Sequence, residues 1–459
     1  MLRPSNAKLP KNSAMIINTM RDEIGGDFGT IVPLAHNTLE SINAIGNVIL
    51  TNPMLMNQFA SALVNKIGLT IISSKMYQNP WAALKRGILE TGDTIEEIFV
   101  DRAEAHQYDP VKAVNELFKR ELPDISTAYH RLNYAKFYKR TIGRRQLQLA
   151  FQSVDGVANL ATAIIESMFK GANQDEFIVS KYLVAKMALR GNITPVQVPV
   201  MSSTTAKEVV TMIKTESANM TYMNGDRNVA GVETSTNYDD QIIIMDTKFE
   251  ATVDVEVLAA AFNMDKATFM GNRVGVNSFS FSNSELNHLD ELFLDIDYDY
   301  TRFTAAELAE LKNIQCLLID RDWFMIFDNL NETTEQQNPQ ALEEHHFLHQ
   351  WKTFSVSPYA QANVFVSIEP TVTAITITPS TASVMPGNRL KFTETVETTG
   401  LAPQGVEWDV FGADSEKTII TPDGVLSVAG DETATTLTVR ATSRFDESIE
   451  AVASVTIVQ

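Results

Sequence analysis

The chain's 459 residues are 44% hydrophobic, enough for about three domains with real cores, which excludes general disorder. Against 37 Lys and Arg stand 57 Asp and Glu, and the resulting net charge of -20 makes the average surface repel nucleic acid and anionic membrane. No run approaches the ~20 apolar residues of a membrane span.

The start, Met1-Leu2-Arg3-Pro4-Ser5-Asn6, lacks an apolar targeting core, so synthesis in a reducing cytoplasm is expected. Residues 1–70 read as a helix-rich N-terminal arm, broken by Pro10, Pro33 and Pro53, with helical spacing from Asn57 to Lys66. Such a segment is expected to wrap another surface. Residues 71–143 differ, because Trp81-Ala82-Ala83-Leu84-Lys85-Arg86-Gly87 and Gly92-Asp93-Thr94-Ile95-Glu96-Glu97-Ile98-Phe99-Val100 predict extended strands around turns. Charges crowd this stretch and few positions face a core. A two-stranded excursion lying on a partner is therefore expected, with Lys85, Arg86, Glu96 and Glu97 as contact candidates.

From Arg144 to about Arg190 the pattern is strongly helical, with Leu147, Phe151, Val154, Leu160, Ile164, Ile165, Met168 and Phe169 mostly three or four apart. Gln241 to Val257 reads as strands and Glu256 to Met264 as a helix. Residues 314–328 look like a hairpin of two buried strands around Asp320-Arg321-Asp322, with Cys316 as a small buried thiol. Phe347 to Val366 supplies a final strand pair, and Pro370 with Thr371 to Thr373 marks a linker.

The last ninety residues alternate as an all-β sandwich, with turn signals at Pro386-Gly387, Pro422-Asp423-Gly424 and Gly430-Asp431. Phe392, Trp408, Leu426 and Val439 are its expected core. The runs Gly405-Val406-Glu407-Trp408, Gly424-Val425-Leu426-Ser427-Val428 and Leu437-Thr438-Val439-Arg440-Ala441 resemble the bacterial immunoglobulin-like group 2 domain over the whole module, residues 370–459.

Candidate chemistry is sparse. Asp295, Asp297 and Asp299 have the spacing that opens a calcium loop, but Tyr300 stands where Gly is needed and Ala306 where a bidentate Glu is needed. Solvated acidic surface is the expectation there. His345 and His349 lie four apart beside Glu343 and Glu344, yet no third zinc ligand follows at a standard spacing and Phe347, Leu348 and Trp351 read as strand. Tyr129-His130-Arg131 through Lys139-Arg140 to Arg144-Arg145 is the one basic stretch interleaved with aromatics, a composition suited to stacking on single strands. In so acidic a chain, Arg131, Lys139 and Arg140 are expected instead to meet carboxylates of a neighbouring copy. No phosphate loop, His-Glu-x-x-His or Gly-x-Ser-x-Gly occurs, so no catalytic residue, metal or cofactor is expected.

The stretches Val253-Asp254-Val255-Glu256-Val257-Leu258-Ala259, Phe269-Met270-Gly271-Asn272 and Ile319-Asp320-Arg321-Asp322-Trp323-Phe324-Met325-Ile326-Phe327-Asp328-Asn329-Leu330 resemble the major capsid proteins of phi-29-like podoviruses. Gly92-Asp93-Thr94-Ile95-Glu96-Glu97-Ile98, Gln107-Tyr108-Asp109 and Trp351-Lys352-Thr353-Phe354-Ser355-Val356-Ser357 carry the same resemblance. It implies an α+β Hong Kong 97-type capsid fold: an N-arm over residues 1–70, an E-loop over 71–143, and peripheral and axial domains over 144–369 that include the spine helix. The immunoglobulin-like module follows. Residues 280–312, with Asp290, Glu291 and Asp295, look like an acidic insertion relative to that family.

The implied function is a non-enzymatic shell protein of a tailed phage head, assembling with itself as pentamers and hexamers around double-stranded DNA that it encloses without sequence-specific binding. Scaffolding protein and portal are the implied partners, with host-surface carbohydrate for the appended module and no membrane. A bacterial surface adhesin is the alternative, but it calls for a secretion signal and tandem repeats. A hydrolase with a carbohydrate-binding sandwich would need paired acids on a large barrel, where this chain shows helices and scattered strands.

Overall fold

A computed structural model describes residues 13–60, 62, 77–89, 92–103, 105–106, 120, 122–153, 155–254, 272–293, 300–338, 340–341 and 343–458. The Gln107-Tyr108-Asp109 motif, the expected helix over 256–264 and the acidic triplet Asp295, Asp297 and Asp299 lie outside the described residues. Two compact units emerge: residues 1–95, 131–179 and 326–354 form the first, and residues 96–130, 180–325 and 355–459 the second.

In the first unit, helices Ser13–Ile24 and Leu39–Thr51 place Ile16, Ile17 and Met20, then Ile42, Ile45 and Ile49, at helical spacing, so each carries one apolar stripe. Those stripes bury against Val157, Ile165, Met168 and Ala172 of the long helix Gly156–Leu189. Close approach demands Gly46, where an added Cβ would lie 2.6 Å from the Phe151 side chain. The apolar stripes of these two helices, which lie in the segment expected to wrap another surface, are covered within their own unit.

Strands β1 (Gly87–Ile88), β2 (Thr94–Val100), β3 (Ile125–Arg131) and β4 (Tyr134–Gly143) follow, and among the described residues β2 pairs with β3 alone. The stretch 71–143 therefore divides in two. Residues 94–131 contain the separate two-stranded hairpin, whereas β1 and β4 form the edges of a four-stranded sheet in the order β1-β9-β10-β4, with β9 Phe324–Asn338 and β10 Glu343–Val356. β4 runs antiparallel to β10 from Tyr134 opposite Lys352 to Gly143 opposite Glu343.

The second unit holds a five-stranded sheet ordered β5-β11-β8-β6-β7, from β5 Thr194–Gln197, β6 Gln241–Asp246, β7 Arg273–Val276, β8 Ile314–Asp320 and β11 Ala362–Val366. β6, β8 and β11 are buried almost throughout, as strands covered on both faces must be. Two strand pairings expected from the sequence do not form. β8 has β11 on one edge and β6 on the other, which leaves no edge for β9, so residues 314–328 are not a hairpin. The 3-10 turn Arg321–Trp323 redirects the chain, with the Asp320 side chain accepting from the Asp322 N–H at 2.8 Å. β10 and β11 likewise enter separate sheets. Strand also ends earlier than expected after Gln241, because Asp246 caps helix Thr247–Thr252 by accepting from Phe249 N–H.

Residues 371–457 are all strands and turns. β12 (Thr371–Thr378) pairs with β15 (Thr393–Thr399). A second sheet has the order β13-β20-β19-β16, with β13 Thr381–Val384, β16 Val406–Phe411, β19 Thr436–Ser443 and β20 Glu450–Ile457. A third has the order β14-β18-β17, from β14 Arg389–Lys391, β17 Ile419–Ile420 and β18 Val425–Ser427. Phe392, Leu426 and Val439 are fully buried in one core with Trp408 at 7% exposure. The Trp408 indole N–H finds no hydrogen-bond partner among the described residues. Trp408→Ala should therefore lower the module's stability by roughly 3–5 kcal/mol, the cost of truncating a buried aromatic. Trp408→Phe forfeits no hydrogen bond and should cost less than half as much. Calorimetric melting of the full chain measures both, and equal losses would show that the N–H is bonded.

Candidate subunit interface

Alternation along β2 and β3 gives the hairpin two unlike faces. On one, His130 is buried, with Nε2 3.1 Å from Glu97 Oε2 and Nδ1 2.7 Å from Ser355 Oγ. Ser357 Oγ donates to Glu97 at 2.8 Å, and Phe99 stacks on Tyr359 at 5.4 Å between ring centres. That face is held by the chain's own residues 355–359. The other presents Ile98 (58% exposed), Val100 (51%), Ile125 (55%) and Tyr129 (58%) in adjacent positions, and Leu122 stands beyond them. Its polar fringe is Glu96, which accepts from the Tyr129 hydroxyl at 3.0 Å, and Arg131, which has no ion pair among the described residues.

A second exposed face belongs to β4 and β10. Outward positions carry Phe137, Lys139, His345, Phe347, His349 and Trp351. Phe137 meets Phe347 edge-on at 5.8 Å, Phe347 stacks on His349 at 6.1 Å, and the Lys139 ammonium lies 5.5 Å over Phe347. His345 and His349, the candidate zinc pair, are separated by Phe347 on this strand and bond Thr141 and Thr334. Arg140 faces the opposite way, its Nε donating to Ser167 of the long helix at 2.7 Å. Of the two adjacent cations only Lys139 stands on the aromatic face.

Lys85 sits elsewhere altogether. With Lys352 it meets the carboxylates of Glu176 and Asp328: Lys85 to Glu176 at 3.2 Å, Lys85 to Asp328 at 2.9 Å, Lys352 to Asp328 at 3.0 Å, and Lys352 to Glu176 in closest contact. Asn79 Nδ2 adds a 2.6 Å donor to Glu176. Burial alone would push the Asp328 carboxyl up, but the two ammoniums hold it below the usual carboxylate range. Burial would lower Lys85, and the carboxylates hold it above its usual range. Both directions stabilise the folded state between the two ordinary pKa values; the Asp328 part is lost as pH falls below about 4 and the Lys85 part as pH rises past about 10. Glu176 and Lys352 were not singled out by sequence; the available signal was a charged residue on an otherwise inward-facing stripe, as Lys352 is with Leu348 and Phe354. Arg86 is exposed, and its backbone N–H donates to Ile326 at 3.0 Å.

On the inward side of β10, Glu344 lies against a crevice lined by Met56, Ala60, Ile142 and Leu147. Burial, with a contribution from Glu335, pushes its carboxyl up to about 7, and burial keeps the neighbouring His346 below the usual imidazole range. Among the described residues no group of three His, Cys, Asp or Glu is placed to hold a metal, and no helix is long and apolar enough to cross a membrane.

Residues 17–366 match the family of Phi29-like phage major capsid proteins. The major capsid proteins of Bacillus phages PZA and B103 are 34% and 33% identical over 432 and 433 residues, in each case 93% of this chain and 89% of the relative. These alignments cover more of the chain than residues 17–366 and so reach into the C-terminal module. The capsid structure of Staphylococcus phage Andhra superposes with a TM-score of 0.50 at 14% identity, over 64% of this chain and 86% of that one. That likeness is one of fold, the Hong Kong 97-type capsid fold.

Two measurements check the buried groups. Lys352→Met leaves Glu176 and Asp328 with one cation between them, and should cost on the order of 3–5 kcal/mol in denaturant unfolding, far above a surface pair. Glu344→Gln should stabilise at pH 8 and not at pH 5, because a carboxyl raised to about 7 binds its proton more tightly folded than unfolded and loses stability as pH climbs from about 4.5 to 7. A gain on the order of 1–2 kcal/mol is expected, and an equal melting shift at both pH values would contradict it.

Proposed function

This chain belongs to the Phi29-like phage major capsid protein family, structural proteins of the virion head, and from that premise we propose how its copies meet to close a shell. The β2–β3 hairpin is the extended loop of the subunit, and its outward row of Ile98, Val100, Ile125 and Tyr129 docks on a neighbouring copy. One observation carries this reading: the hairpin's two faces are both apolar in part, yet among the described residues only one is covered by its own chain. A two-stranded sheet is marginal alone, so the uncovered face calls for a second surface. At about 25 cal/mol per Å² of apolar area, a repeated contact of this kind offsets association costs once several copies engage.

Copies assemble as pentamers and hexamers around double-stranded DNA, with scaffolding protein and portal as further partners. A net charge of -20 supports enclosure without gripping, since most of the surface repels a packaged polyanion. Residues 370–459 form an immunoglobulin-like group 2 domain carried on the outside of the shell, where host-surface carbohydrate is the ligand class that suits it. Support for the assignment is the strand order around Phe392 and Trp408 together with the sequence pattern.

Ile98→Asp combined with Ile125→Asp should abolish shell formation in vitro while leaving the far-ultraviolet circular dichroism and melting of the subunit within error. Lys139→Glu should also impair assembly, more so at low salt, and more than Arg140→Glu, whose side chain is already engaged with Ser167. Sedimentation and electron microscopy provide the readout. Shells that form normally but lose DNA would transfer Lys139 to nucleic-acid contact, and normal shells from the double Asp variant would defeat the hairpin reading.

A further inference from the structure

The long helix Gly156–Leu189 ends in a Schellman arrangement: Asn192 N–H donates to Met187 at 2.9 Å and Gly191 N–H to Ala188 at 3.0 Å, with Gly191 in the left-handed region at φ +68°. That leaves the Leu189 carbonyl among the orphans of the last turn. Its donor comes from 215 positions away, the Gln404 side-chain amide at 3.0 Å. Gln404 belongs to the turn joining β15 to β16. The turn is built for this place: Gly400 and Leu401 both take left-handed backbone at φ 62°, and Leu401 and Ala402 are buried. Contact is close enough that a Cβ added at Gly191 would lie 2.5 Å from Pro403 Cα and 2.8 Å from Gln404 N. A Cβ at Gly400 would meet the Glu369 carbonyl at 2.7 Å, so the same turn also packs on the segment that leads into the module.

We propose that the 400–404 turn of the C-terminal module is the cap of the long helix, so that the module splints the end of that helix instead of hanging from a flexible linker. A strained, buried turn that served only to join two strands would be a costly one; seated on the helix end, it supplies the missing donor to the Leu189 carbonyl. The surface it fits is internal, and its occupant is this chain's own module. This inference does not depend on how copies of the chain meet, and it holds whether or not the module binds a host ligand.

The test is hydrogen exchange by mass spectrometry on the full chain, comparing peptides over residues 185–193 with peptides over the module core at 437–441. Gln404→Glu puts a carboxylate against helix carbonyls and the negative end of the helix dipole. Exchange over 185–193 should rise by tenfold or more, with the module core unchanged. Gly191→Ala perturbs the helix end as well as the seat, so Pro403→Gly with Gln404→Ala, which alters only the module side, is the second variant and should reproduce the selective effect more weakly. Protection over 185–193 that stays at the wild-type level in both variants would overturn the proposal. So would a parallel rise in both regions, which would mean that the module had unfolded and not merely left its seat.

Discussion

Placing Glu176 inside the first unit, with its side chain 3% exposed, carries a desolvation cost of several kcal/mol that only close cations offset. Lys85 and Lys352 supply them, and Asp328 balances the second positive charge. These four residues come from the helix, from the segment entering β1, from β9 and from β10, so their charges are compensated only when all four elements arrive at one place. Apolar packing in the same unit tolerates small slips. A two-cation, two-anion centre does not, because withdrawing any one of the four leaves a net buried charge uncompensated. The register of β1 on β9, with Gly87 opposite Phe327 and Ile88 opposite Asp328, is what brings Lys85 within reach of Asp328.

With that centre fixed, the β4–β10 ladder acquires a defined inside and outside. Leu348, Gln350 and Lys352 point inward, and Phe347, His349 and Trp351 must then point out, since neighbours on a strand alternate. The exposed aromatic row is therefore a consequence of where Lys352 goes. A comparable division governs the hairpin, where burying His130 against Glu97 and Ser355 commits Ile98 and Tyr129 to the opposite side. Polar anchors settle which apolar residues each element leaves uncovered.

This division explains what was legible in the sequence and what was not. Helical spacing from Leu160 to Phe169 marks the long helix because a one-stripe pattern has a single solution, although Leu147 belongs to a separate short helix, Arg144–Ala150, that ends before it; the turn signals of the C-terminal module mark its strands for the same reason. β10 defeats that logic: His345, Phe347, His349 and Trp351 are as apolar in aggregate as His346, Leu348, Gln350 and Lys352, so alternation alone does not say which set is inside. Lys85 looked like a surface cation for the same reason, since its carboxylates stand 91 and 243 positions away. The 314–328 run was readable as two buried strands but not as members of two sheets, because pairing depends on which edges are already taken by β6 and β11. Gln404 on the helix end carried no local signal at all.

Charge distribution completes the physical account. Lys181 is buried against Glu285, Arg227 meets Glu216, Arg273 meets Glu250 and Asp254, and Arg440 meets Asp409 and Glu450. Each of these pairs removes a cation from the pool available to an outside partner, in a chain that already has 37 basic residues against 57 acidic ones. What remains outward-facing and without an ion pair among the described residues includes Arg131 beside the hairpin and Lys139 on the aromatic face. Both stand next to exposed apolar side chains and not in a continuous basic track. A surface made to follow a polyanion's backbone needs such a track, whereas a contact between acidic copies needs only isolated cations at the rim of an apolar patch. The placement of Arg131 and Lys139 supports the proposed contact between copies.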